Sequence, residues 1–147
     1  MIANIDQIER FVDAFEAGTL PRSAWTHTAH FVVGLWYVLH YDAETALDRM
    51  RRGIRSYNEA SGVANTDSSG YHETITVFYL WAIRDFLEKH NGESSPAILF
   101  TKLVEDEITR KDYLLRYYSE AVIFSNEARK TWVEPDKQAL PVPVFSI

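Results

Sequence analysis

Between Trp25 and Leu39 the chain is apolar almost without interruption, carrying Ala29, Phe31, Val32, Val33, Leu35, Trp36, Tyr37 and Val38, with His27 and His30 at its opening. A helix that is apolar on every side must be covered by protein on every side. A membrane crossing needs about 20 apolar residues, more than this run offers. It therefore predicts a central buried helix that the remaining chain wraps. His27 and His30 stand three apart, so both rings project from one face, a spacing that offers two imidazoles to one metal ion or ligand.

With 147 residues, the chain fits one domain spanning 1–147. A hydrophobic fraction of 46% and an aromatic fraction of 14% supply enough material for a packed interior and argue against disorder. The formal charge of −6 speaks against nucleic-acid or anionic-membrane partners, which demand a basic surface. The chain has no cysteine, which excludes disulfides, thiolate nucleophiles and thiolate metal sites, so a metal would need His, Asp or Glu ligands. The residues from Met1 to Asp6 show no basic segment followed by an apolar one, and a cytoplasmic location is the expectation.

Helical spacing organises the rest. Ile5, Ile8, Phe11, Val12 and Phe15 define a first helix with Asn4 as its cap and Gly18 as its stop. Thr26 caps the central helix, which runs to about His40 or Tyr41. A third helix opens at Asp42 or Thr45 and ends by Gly62, burying Ala46, Leu47, Met50, Ile54 and Tyr57 and leaving Arg51, Arg52 and Arg55 in water. Residues 63–70 form a loop rich in turn formers, longer than a plain helix connection needs. A fourth helix covers Tyr71 to about Lys89, and Ser95 and Pro96 start a fifth. A further helical zone begins at Thr109 or Lys111 and continues to Phe124, with a break expected near Ser125. Pro135, Pro141 and Pro143 exclude helix from the tail, which is expected to lie extended, burying Leu140, Val142, Val144 and Phe145. No segment alternates as a strand would. The expected architecture is an all-α, single-domain bundle of about six helices with an extended proline-containing tail.

Two helix openings carry histidine among hydroxyl residues: Thr26-His27-Thr28-Ala29-His30 and Gly70-Tyr71-His72-Glu73-Thr74. In an up-down bundle the second and fourth helices run the same way, so their starts share an end. His27, His30 and His72 would then offer three imidazoles, and Glu73 a carboxylate, to Zn²⁺, Fe²⁺, Mn²⁺ or Ni²⁺. A helix N-terminus disfavours imidazolium and so favours the metal-binding neutral ring. Glu73 is the candidate base, and Trp25, Thr26, Tyr71 and Thr76 are candidate walls of a ligand pocket. Metal-dependent hydrolysis or transfer on a small molecule is one reading. The competing reading is a non-catalytic bundle that holds a small ligand or an anion, through backbone N–H groups, Thr26, Thr28 and Ser69, or that pairs with a partner such as a second copy through its helix faces. In a third, the histidines are packed structure and no more.

The strings Trp25-Thr26-His27-Thr28-Ala29-His30, Gly70-Tyr71-His72-Glu73-Thr74-Ile75-Thr76 and Trp132-Val133-Glu134-Pro135-Asp136 resemble those of a group of small bacterial helical proteins. The resemblance covers most of the chain and implies an all-helical fold without adding a catalytic residue. More loosely, a bundle with three inward histidines is similar to the metal-binding bundles of the DinB and YfiT type. That likeness is one of architecture, and the ligand spacings differ.

Overall fold

The computed structural model describes residues 4–141. Among them seven α-helices run in order: α1 (Ile5–Ala17), α2 (His27–His40), α3 (Ala43–Ala60), α4 (Glu73–Lys89), α5 (Pro96–Glu105), α6 (Glu120–Ile123) and α7 (Asn126–Lys130). Short 3₁₀ turns occupy Arg22–Ala24, Glu107–Thr109 and Leu114–Arg116, and no strand forms among the described residues. The bundle is all-α, as its periodicity predicts.

Capping explains most of the boundaries. Asn4, Thr26, Asp42 and Ser95 each accept a backbone N–H from the first turn of α1, α2, α3 and α5, satisfying donors that a helix start leaves unpaired. Gly18 closes α1 in the left-handed conformation, at φ 73°, where a side chain would be strained. The helical zone expected from Thr109 to Phe124 forms only as the 3₁₀ turn Leu114–Arg116 and the short helix α6, which Ser119 caps; the chain breaks near Ser125, as expected, and that serine caps α7. The tail is bound over its described part: Lys137 donates its backbone N–H to Tyr117, and the Asp136 carboxylate accepts from Ser119 N. Val142, Val144 and Phe145, expected to bury the tail, lie outside the described residues.

Helix α2 occupies the centre, touching α1, α3, α4 and α5. Phe31, Val33, Leu35 and Tyr37 are buried in it. Phe31 meets Tyr79 at 4.9 Å between ring centroids, and the Gly34 position faces Ile83, so residue number rises along both helices together. α2 and α4 are therefore parallel neighbours, as the up-down expectation requires. Gly34 permits their close approach, because a Cβ there would stand 2.8 Å from Ile83 Cδ1.

Candidate functional site

A cavity of about 280 Å³ opens between α2, α3, α4 and the segment that holds Lys111 and Leu114. Its floor is buried and apolar, built from Phe31, Met50, Ile54, Leu80, Ile83 and Leu114. Thr76 is the one buried hydroxyl on the wall, and that hydroxyl already donates to the His72 carbonyl at 2.8 Å. The rim is half-buried or exposed: His27, His30, Ile75, Tyr79 and Lys111. The helical stripe of α4 from Ile75 through Tyr79 to Ile83 supplies one wall, and the face of α2 from His27 through Phe31 to Gly34 supplies the other.

The histidines divide sharply. His30, His40 and His90 each place Nδ1 against the carbonyl four residues earlier, at 2.7, 2.7 and 2.8 Å. His72 places Nε2 2.7 Å from the Ile123 carbonyl. A carbonyl only accepts, so each of these four ring nitrogens carries the proton. His27 differs: its Nε2 is buried and no hydrogen bond of ordinary geometry reaches it. Burial lowers the His27 pKa, a loose hydrogen-bond approach of the Thr109 backbone opposes that shift, and the Lys111 charge adds to it. Burial also lowers the His30 pKa, against the opposing Thr26 carbonyl, so both rings are neutral near pH 7. With Nδ1–H spent on Thr26, neutral His30 keeps Nε2 as an acceptor. Tyr79 edges the same mouth, its hydroxyl pushed up to about 12 by burial.

The expected convergence of three imidazoles does not occur. His72 is the N-cap of α4, not a residue of its first turn; its φ of −132° is extended, so the helical stripe cannot be extrapolated back to it. Its Nδ1 accepts the Ile75 N–H at 3.2 Å while Nε2 donates to Ile123, which consumes both nitrogens. Among the described residues no three His, Asp or Glu side chains come together as a metal site. The donor set does not fit the divalent metal expected from the sequence.

Glu73 is also engaged elsewhere. Arg51 donates to both its oxygens, from Nε at 3.0 Å and Nη2 at 2.7 Å, and the Tyr71 hydroxyl donates to Oε1 at 2.7 Å. Burial alone would raise the Glu73 pKa, but Arg51 and Tyr71 together hold it below the usual carboxylate range. A carboxylate so occupied is a poor base. Arg51, expected in water, instead ties α3 to the start of α4.

The remaining candidates are dispersed. Trp25 is stacked between Phe15 and His30, with centroids 4.4 and 3.9 Å away, and lies outside the cavity. Thr26 faces a separate, wider groove between α1, α2 and α5. Tyr71 is buried beneath the Arg55 guanidinium, 4.9 Å above its ring. The structure thus gathers His27, His30 and Thr76 around one cavity and leaves Trp25, Thr26, Tyr71, His72 and Glu73 outside it. Lys111 and Tyr79 are the rim residues that sequence reasoning passed over. Tyr79 was legible as a member of the α4 apolar stripe, whereas nothing local marks Lys111. Searches of family models, curated proteins and solved structures return no match to this chain.

Proposed function

We propose that the protein binds a small, largely apolar molecule in the cavity between α2, α3 and α4. The observation that carries this reading is a cavity with a buried hydrocarbon floor and a short rim of aromatic and polar side chains, His27, His30, Tyr79 and Lys111. Ligand pockets are concave and mostly apolar, edged by a few polar groups that orient the bound molecule. The space is nearly twice the ~150 Å³ engineered cavity that accommodates benzene, which sets the ligand at roughly a dozen non-hydrogen atoms. About six buried methylenes at ~0.8 kcal/mol each supply about 5 kcal/mol. That corresponds to a dissociation constant of the order of a millimolar or somewhat less.

The geometry favours binding over metal-dependent hydrolysis or transfer, because the ligand set such chemistry needs is dispersed and Glu73 is held in an ion pair. The test is thermal unfolding of the protein with increasing octanol, alongside an Ile75→Trp variant that narrows the mouth. A ligand that binds only the folded state raises the melting temperature with concentration. We expect that rise in the parent protein and a several-fold weaker one in the variant. Equal, negligible shifts in both would refute the reading.

A further inference from the structure

We propose that the ligand is an alkyl-substituted aromatic ring, its ring held at the cavity mouth among His27, Phe31 and Tyr79 and its alkyl chain laid on the aliphatic floor. This deepens the cavity reading and rests on it. His27 and Phe31, four apart on α2, share a face, with ring centroids 5.1 Å apart. Tyr79 of α4 stands opposite, 4.9 Å from Phe31 and 6.1 Å from His27. All three rings line the cavity. His27 and Tyr79 are half-buried at its mouth, and Phe31 carries the ring cluster down to the buried floor. Past the rings the lining is aliphatic: Leu80 and Ile83 of α4, with Met50 and Ile54 of α3, are all buried, and Gly34 on α2 contributes no side chain.

The mouth and the floor ask for different things of a ligand. An aromatic ring has a positive edge and a negative face, so rings pack edge to face, and such pairs add attraction beyond the area they bury. The three rings already meet that way, with interplanar angles of 75°, 81° and 76°. Burial keeps the His27 ring neutral near pH 7, so it joins the cluster as a ring and not as a cation. A further ring at the mouth extends the pattern over the uncovered parts of His27 and Tyr79. A saturated ring of the same size gains burial there and nothing more. The floor offers no ring edge or face past Phe31 and suits a flexible hydrocarbon chain.

Titration calorimetry on the full chain near neutral pH, with 4-butylphenol, 4-butylcyclohexanol and octanol, separates the alternatives. The two ring compounds have equally many non-hydrogen atoms, and their hydroxyl keeps them soluble and stands in water at the rim. The readout is the affinity of the phenol over that of the cyclohexanol, in the parent and in Tyr79→Leu. Dividing one protein's ratio by the other's cancels the difference in how water solvates the two compounds. The ratio is expected to fall roughly 2- to 12-fold in the variant, the range of one aromatic pair. His27→Leu is expected to lower it in the same direction. In the parent protein, nuclear Overhauser contacts are expected from the phenol ring protons to Phe31 and Tyr79, and from the butyl methyl to Met50 and Ile83. Ratios unchanged in both variants, contacts that place the methyl at Tyr79 and the ring at Ile83, or binding of octanol alone would each overturn the ring assignment while leaving the cavity reading intact. If none of the three compounds binds, the cavity reading itself falls and the ring with it.

Discussion

At the scale of single residues, the ion pair and the histidines make opposite use of burial. Glu73 has a side chain only 15% exposed, and both its oxygens are taken by Arg51, with Tyr71 as a third donor. Removing one partner strands the other, so Glu73→Gln is expected to destabilise the protein by about 1–3 kcal/mol in denaturant unfolding. The pH dependence has a definite sign. Glu73 has a folded pKa below its ordinary value of 4.5, so its contribution is present above that pH and is lost as pH falls through the folded value. His27, His30 and His72 are likewise depressed, by burial first, from 6.5. The unfolded chain binds protons that these folded rings refuse, so stability begins to decline as pH drops below about 6.5. Unfolding midpoints measured across this range should fall in two stages, and Glu73→Gln should flatten only the more acidic one. A single stage in the parent protein, or an unchanged acidic limb in the variant, contradicts this assignment.

At the scale of helices, two glycines make a matched experiment. Gly34 on α2 and Gly53 on α3 each leave a space in which an added Cβ would come within 2.8 Å of a neighbour. At Gly34 the neighbour is the tip of Ile83, which borders the cavity and can turn into it. At Gly53 it is the Phe15 ring, 1% exposed and stacked on Trp25. Alanine gains about 1 kcal/mol of helix propensity at either position. Gly34→Ala is therefore expected to leave stability within about 1 kcal/mol while weakening octanol binding several-fold. Gly53→Ala should lose about 0–2 kcal/mol net, since displacing a packed ring costs about 1–3 kcal/mol. The same contrast shows what was legible beforehand. Helices α1, α2, α3 and α5 and their caps follow from Asn4, Thr26, Asp42 and Ser95, because capping is local chemistry. His72 was misplaced by one structural step: a histidine accepting an N-cap hydrogen bond is not among the usual capping residues, so the α4 stripe was extended through it. Arg51 with Glu73 is a pairing between distant parts of the chain, and Lys111 reaches the His27 rim from an equally distant one, and no periodicity encodes either.

At the scale of the whole molecule, α4 has two duties on two sides. One side, from Ile75 to Ile83, walls the cavity; the other holds the chain that follows α7. Thr74 governs the second. Its hydroxyl is fully buried, donates to the Thr131 carbonyl at 2.7 Å and accepts the Val133 N–H at 3.1 Å. Nearby, Arg129 donates to the Gly70 carbonyl at 2.8 Å and Tyr118 OH to the Val133 carbonyl at 2.6 Å, so the last described segment is fastened along the start of α4. Thr74→Val keeps the shape and removes both bonds, leaving two buried backbone groups unpaired. A loss of about 2–3 kcal/mol is expected from that. Thr74 does not line the cavity, and a folded population well above nine-tenths survives such a loss in a domain of ordinary stability. Octanol should then bind the variant as tightly as the parent at 25 °C by calorimetry, although its unfolding midpoint is lower. Coupled losses of affinity and stability would mean that the cavity depends on the tail-side packing, and that α4 is not the rigid partition between binding and fastening that its contacts describe.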